Sequence, residues 1–340
     1  MADPSITEIL TALVERRELS PEQVERAFAP LLAGQFHEGE AAAFLVALRM
    51  KGETAGELAA AATLLRARMQ RFDTGRDDVL DTCGTGGDGA GTFNISTAAA
   101  LVAAAAGVPV VKHGNRAVSS RTGSADVLAE LGVPVEAGPD WAKRCLDRAG
   151  LAFCFAPHFH PAMKHVGPLR RRLGVRTLLN LLGPLANPAG AAYQLLGVGR
   201  PELLDPLAGA LARLGVRQAF VVCGRDGLDE VSLSAPTLYR RVRNGSVIAG
   251  EWTVADFGLE PCSPDDLKAD GAAASAQLIR RIVSNEDLPA ARVVIANAAA
   301  ALVVAERAKG LRDGAAAAAA AIRSGRAAEV LSLLQRTTDH

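Results

Sequence analysis

Asp81-Thr-Cys-Gly-Thr-Gly-Gly-Asp88, followed after five residues by Asn94-Ile-Ser-Thr97, is the stretch on which the reading of the fold turns. It starts on a short apolar, β-prone run at 79–82 and ends where an alanine-rich helix opens. Glycines at 84, 86 and 87 let the backbone adopt positive φ and bring successive N–H groups against an anion. Ser96 and Thr97 stand at the positively polarised start of the helix, which suits a phosphate or diphosphate. No Gly-Lys-Ser/Thr closes the loop and its spacing is not GxGxxG, so it is neither a nucleoside triphosphatase loop nor a dinucleotide fingerprint. At this point an ordinary tight strand-to-helix turn remains the alternative.

Outward from that loop the same texture continues. Short β-prone runs at 79–82, 108–111, 151–155, 193–197 and 219–222 alternate with helical stretches, and such alternation predicts a largely parallel sheet with helices on both faces. Asn244-Gly245 at the centre of 237–254 marks a hairpin added to that sheet. Alanine-rich helices are expected at 290–309 and 314–324, with the low-complexity run 315–321 read as close packing. The first seventy residues differ. Ile6, Ile9, Leu10 and Leu13 share one helical face, and Leu45, Leu48 and Met50 end another apolar run. Ser20-Pro-Glu-Gln23 and Thr54-Ala-Gly-Glu57 both read as capping boxes. The expected fold is therefore α/β, a small N-terminal helical domain plus a larger α/β domain with a mostly parallel central sheet flanked by helices. A chain of 340 residues has room for two cores and a cleft between them.

Lysine plus arginine and aspartate plus glutamate number 37 each, so no overall field would gather a nucleic-acid backbone. The five cysteines are scattered without CxxC spacing and read as reduced thiols. The opening segment carries Asp3, Glu8, Glu15, Arg16 and Arg17, unlike a basic head with an apolar signal core. The apolar run at 98–111 is broken by Gly107 and Pro109 and falls short of the roughly 20 residues of a membrane span. A cytoplasmic protein with no membrane or nucleic-acid partner is the expectation.

Three further loops bear chemistry. Lys112-His-Gly-Asn-Arg116 follows the run at 108–111, and Ser119, Ser120, Arg121 and Ser124 come after it, which suits a second phosphate group; a solvated basic turn is the plainer reading. Asp226-Gly-Leu-Asp229-Glu230 follows 219–222. Adjacent loop carboxylates can seat magnesium, which completes its shell with water and substrate phosphate, though alone they read more readily as a solvated pair. Lys164 to Arg176 is the most basic segment and could be a solvated helix face, a nucleic-acid patch, or an arginine grip on an acidic second substrate. His158, His160 and His165 lack partners at metal-ligand spacing and read as cap or cleft-lining residues.

In combination, DTCGTGGDGAGTFNIST at 81–97, KHGNRAVSSRTGSADVLAELG at 112–132, FHPAMKHVGPLRRRLGVRTLLNLLGPLANP at 159–188 and GRDGLDEVSLSAPT at 224–237 closely resemble the anthranilate phosphoribosyltransferase family over nearly the whole chain. The resemblance implies transfer of phosphoribosyl from 5-phosphoribosyl 1-diphosphate (PRPP) to the amine of anthranilate, with magnesium, two ions per subunit, and a homodimer. It implies a helical domain at 1–72 joined by 164–184, with 73–163 and 185–340 forming the donor-binding domain. Carried over by motif, the donor would meet Gly84, Gly87, Asp88, Thr92, Asn94, Ile95, Ser96 and Thr97. It would also meet Lys112, His113, Gly114, Asn115, Arg116, Ala117, Val118, Ser119, Ser120 and Ser124. Anthranilate would meet Gly84, Asn115 and Arg170, and the metal Ser96, Asp229 and Glu230. Arg121-Thr122 stands where Lys-Ser is frequent, Leu179 where Phe is usual and Cys223 where His is common, which touches packing rather than a ligand. The competing readings are a pyrimidine nucleoside phosphorylase and a non-catalytic relative binding nucleic acid through the basic segment.

Overall fold

The computed structural model describes residues 6–117 and 122–337. Four helices open the chain: α1 (Ile6–Val14), α2 (Pro21–Ala33), α3 (Glu38–Lys51) and α4 (Ala55–Ala67). Both capping boxes form: the Ser20 and Thr54 hydroxyls accept from the N–H of Gln23 and Glu57, and the Ser20 and Thr54 N–H groups donate to the Gln23 and Glu57 side chains. Glu57 is fully buried and also accepts from Leu19 N–H at 2.9 Å and Lys51 Nζ at 2.8 Å, so one carboxylate ties the α1–α2 connection and the end of α3 to α4. Leu45 and Leu48 are buried as expected, whereas Met50, off their face by the 3.6-residue period, is exposed.

The alternating part follows as β1 (Leu80–Gly84), α5 (Ile95–Ala105), β2 (Val110–Gly114), α6 (Ser124–Glu130), α7 (Pro139–Ala149) and β3 (Leu151–Phe155). After the short helices α8 (Ala156–Phe159), α9 (Gly167–Leu173) and α10 (Leu178–Leu181) come β4 (Tyr193–Gly197), α11 (Leu204–Arg213) and β5 (Gln218–Gly224). The hairpin is β6 (Thr237–Arg243) and β7 (Ser246–Trp252), with Asn244 and Gly245 both at positive φ as its two-residue turn requires. The chain ends with α12 (Val254–Phe257), α13 (Gly271–Val283), α14 (Pro289–Val304), α15 (Leu311–Arg323) and α16 (Arg326–Arg336). The sequence reading did not delineate α13 or α16.

The sheet runs β3-β2-β1-β4-β5-β6-β7, with β1 to β5 parallel and the hairpin antiparallel. Strand order reverses at β1, which has β2 on one side and β4 on the other, so the carboxyl ends of β1 and β4 form the switch point where such sheets bind ligands. One core packs α5, α14 and their neighbours on the sheet; Gly314 lets α15 approach so closely that a Cβ there would lie 2.8 Å from the Ala299 carbonyl. The other core joins the opening helices to Leu169, Leu178 and Leu182 from the α9–α10 region, and reaches the opposite sheet face through α11, Leu196, Val198 and Val221. The 164–184 stretch thus packs with the helical core while facing the switch point.

Candidate active site

A cleft of about 1180 Å³ opens at this switch point. One wall is the glycine loop: Gly86 and Gly87 have φ of 64° and 81°, and the N–H of Thr85 is fixed to the Gly197 carbonyl at 2.9 Å. The loop is pinned further along where Phe93 N–H donates to Leu267 O at 2.8 Å and Asn94 N–H to Ser275 Oγ at 2.9 Å. Beneath it, Lys112 is buried at 2% exposure and donates to the carbonyl of Thr82, and to Ser96 Oγ at 3.1 Å. Burial lowers the Lys112 pKa, and the Asp81 carboxylate opposes that shift.

The second wall is acidic and close. Gly84 leaves room for Asp229, whose Oδ2 would lie 3.1 Å from a Cβ there, and a Cβ at Gly197 would sit 2.6 Å from the Asp229 carbonyl carbon. Asp88 packs on Gly199, where a Cβ would meet its Cα at 2.9 Å. Burial first, and the neighbouring Asp88 carboxylate second, push the Asp229 pKa up to about 7; the Gly86 N–H donates to it. Glu230 accepts from the N–H of Ser96 and is pushed well above the carboxylate range by burial and by Asp229. Each buried carboxylate beside another of like charge is harder to ionise. Asp88 Oδ2 is buried without a hydrogen-bond partner. Among the described residues no three His, Cys, Asp or Glu side chains form a ready metal cage. A hydroxyl and two carboxylates fit magnesium, which commonly takes one or two protein carboxylates and the remaining oxygens from substrate phosphate and water.

The third wall comes from the helical side. Arg170 and Arg176 both line the cleft, and burial lowers each pKa, with Arg176 adding to the effect on Arg170. Arg172, by contrast, turns outward to Glu38 at 2.6 Å. At the base of the cleft the rings of His113 and His160 lie 4.8 Å apart, and His113 Nδ1 is 3.1 Å from Gly183 O. Burial holds His113 down to about 3 and His160 to about 4. A histidine with a depressed folded pKa supports the fold fully above its unfolded value, near 6.5, and loses that contribution as pH falls towards the folded value. His160→Gln is accordingly expected to lose ~2 kcal/mol less stability than the parent between pH about 7 and about 4.5, read by urea unfolding at both values. Equal losses would mean that His160 does not titrate on unfolding.

Two family models match the chain: the helical bundle domain of a glycosyl transferase family at residues 7–69, and the a/b domain of that family at 76–328. A curated anthranilate phosphoribosyltransferase from Symbiobacterium thermophilum is 46% identical over 97% of both chains. The chain belongs to the anthranilate phosphoribosyltransferase family. A crystal structure of the Thermus thermophilus family member superposes with a TM-score of 0.88 at 42% identity, covering 96% of this chain and 99% of that one. The Saccharomyces cerevisiae member, in complex with PRPP and Mg, superposes at 0.87 with 26% identity, over 99% of this chain and 98% of that one.

Most residues carried over from the family motifs converge on the one cleft. Gly84, Gly87, Asp88, Thr92, Asn94, Ile95 and Ser96 line it from the loop, Lys112, His113, Gly114, Asn115, Arg116 and Ala117 from the end of β2, and Ser124 from the start of α6. Arg170, Asp229 and Glu230 complete it. Thr97 does not line it: its side chain is buried at 1% exposure and bonds back to Asn94, shaping the helix start instead. Arg116 is held in ion pairs with Asp126 at 3.1 Å and Glu136 at 2.5 Å, so it orders its own loop. Val118, Ser119 and Ser120 lie outside the described residues. Sequence reasoning missed the contact of Arg176 with the glycine loop, the meeting of Asp88 with Asp229, and the His113–His160 pair. Arg176 was visible only as one of several cations in a basic run. No described helix is long and apolar enough to cross a membrane.

Proposed function

We propose that this chain transfers the phosphoribosyl group of PRPP to the amine of anthranilate, giving N-(5-phosphoribosyl)anthranilate and diphosphate in tryptophan biosynthesis. One observation carries the reading: a glycine loop with a hydroxylated helix start, an acidic pair and Arg170 face one another across a single cleft. Phosphate on the donor would meet the loop N–H groups and the start of α5. As the bond from ribose C1 to diphosphate breaks, positive charge develops on the ribose and negative charge on the leaving group, and fixed N–H dipoles stabilise the latter. Ser96, Asp229 and Glu230 would hold magnesium, which when bound neutralises charge on the diphosphate. Arg170 places the anthranilate carboxylate so that the amine points at C1, acting through orientation; no side chain is assigned as acid or base.

The finer parts of the reading are two magnesium ions per subunit, a cytoplasmic homodimer, and a helical domain of 1–72 joined by 164–184 against an α/β domain of 73–163 and 185–340. The packing of Leu169, Leu178 and Leu182 against the opening helices supports the joining of 164–184 to 1–72.

Protein mixed with magnesium, PRPP and anthranilate should consume anthranilate fluorescence and release diphosphate in equal amounts, with no phosphorolysis of pyrimidine nucleosides. Absence of turnover at every magnesium concentration would overturn the reading. Losing a charge-assisted contact costs ~1.5–3 kcal/mol, so Arg170→Ala should weaken use of anthranilate by roughly tenfold to a hundredfold while the PRPP affinity holds. Unchanged anthranilate kinetics would remove Arg170 from that role.

A further inference from the structure

Arg176 has no part in the chemistry assigned so far, yet it joins two walls of the cleft directly. It lies between α9 and α10, whose Leu169 and Leu178 pack into the helical core, and its neighbour Thr177 is fixed by donating its N–H to Asn180 Oδ1 at 3.0 Å. From that anchored position Arg176 Nη2 donates to the Thr85 carbonyl in the glycine loop. The guanidinium lies so closely over Gly87 that a Cβ there would be 2.6 Å from Cζ and 2.9 Å from Nε. A cation therefore rests on the loop whose N–H groups otherwise address an anion. Asp88 follows Gly87 in sequence and Asp229 receives the Gly86 N–H, so both carboxylates belong to the stretch of loop that the guanidinium covers. Both attract its positive charge, against the larger effect of burial.

An acidic pair in a half-buried cleft needs a cation nearby, and so does a diphosphate. A guanidinium is well suited to exchange between them, since its planar fork binds carboxylate and phosphate oxygens alike. We propose that Arg176 is an exchangeable counter-ion: in the free chain it braces Thr85 and Gly87 beside Asp88 and Asp229, and on donor binding it passes to the diphosphate. Because Arg176 is anchored in the helical core, the exchange ties the 164–184 wall to the ligand and draws the two walls together. The inference rests on the reading of this cleft as a site for PRPP with magnesium, and it assigns Arg176 to the leaving group where Arg170 is assigned to anthranilate.

The two roles move two affinities in opposite directions, which general damage to the site would not do. Arg176→Gln removes a cation that competes for the carboxylates, so calorimetric titration of the metal-free protein with magnesium alone should give a dissociation constant ~3–10-fold lower than the parent's. Titration with inorganic diphosphate at saturating magnesium should give one ~10–100-fold higher. Arg176→Lys keeps the charge and loses the fork, so it should leave the magnesium affinity within twofold while weakening diphosphate about tenfold. Ligand-free urea unfolding checks the fold, and if Arg176→Gln does not fold the Lys variant carries the test alone. Both affinities weakening together, or neither changing, would overturn the role of Arg176. Failure of the parent to turn over PRPP and anthranilate strikes instead at the proposed reaction, because both titrations are read without turnover.

Discussion

Asp229→Asn combined with Glu230→Gln is expected to lower magnesium-dependent turnover by roughly 10³-fold while the protein stays folded. The two effects separate because these carboxylates hold the fold under strain. Burial pushes both above the ordinary carboxylate range, the Asp88 charge adding to the shift of Asp229, and the charges of Asp229 and then Asp88 to that of Glu230. Neutral amides of the same shape relieve that repulsion, so the metal-free double variant should unfold at a urea concentration no lower than the parent's. Activity measured against magnesium concentration, with urea unfolding alongside, gives both halves of the result. A normal magnesium response in the double variant would exclude the pair as the metal seat, and a lower unfolding midpoint would show that the charges support the fold.

Gly197→Ala should be nearly as damaging by a different route. The end of β4 passes directly under the acidic loop, and the new methyl group would lie 2.6 Å from the Asp229 carbonyl carbon. Backbone cannot swing aside as a side-chain tip does, so Asp229 and Glu230 must shift, and a displacement of ~1 Å at a reacting site costs about 10²-fold. Overpacking adds a stability loss of ~1–3 kcal/mol. A fall in kcat/KM of about 100-fold, with a weaker magnesium response and a folded protein by far-ultraviolet dichroism, is the expected outcome. Turnover within threefold of the parent would mean that the acidic loop does not depend on β4 for its position.

Local patterns in the chain foreshadowed most of this architecture, because they arise from forces acting over a few residues. The capping boxes at Ser20 and Thr54 and the Asn244-Gly245 turn are complete within four residues of sequence, and each formed as read. Strand positions were right to within three residues for β1 to β5, the runs at 108–111 and 219–222 being displaced or short because pairing with neighbours decides where a strand ends. The helices α13 and α16 were harder to see. Their buried residues, Ile279 and Ile282 in one and Val330, Leu331 and Leu334 in the other, are spaced for a face whose partners lie far away in the chain. The loop motifs gave the cleft, since Gly84, Ser96, Asp229 and Glu230 need only their own loops to announce an anion and a cation. Arg176 and the His113–His160 pair depend on contacts between distant segments, which no local pattern encodes.

The layer of α5, α14 and α15 has a mechanical meaning for the whole molecule. Ala98, Ala99, Ala100, Ala298, Ala299, Ala300 and Ala301 are all fully buried there, and alanine has no rotamers to exchange. Such a layer cannot repack in a second arrangement, and its backbones already approach to contact at Gly314. The sheet that carries the glycine loop is therefore mounted on a support without internal slack. The core of the opening helices is filled instead by longer side chains, Leu45, Leu48, Leu58 and Leu65 among them, which do have rotamers to exchange, so the two walls of the cleft stand on supports of unequal stiffness.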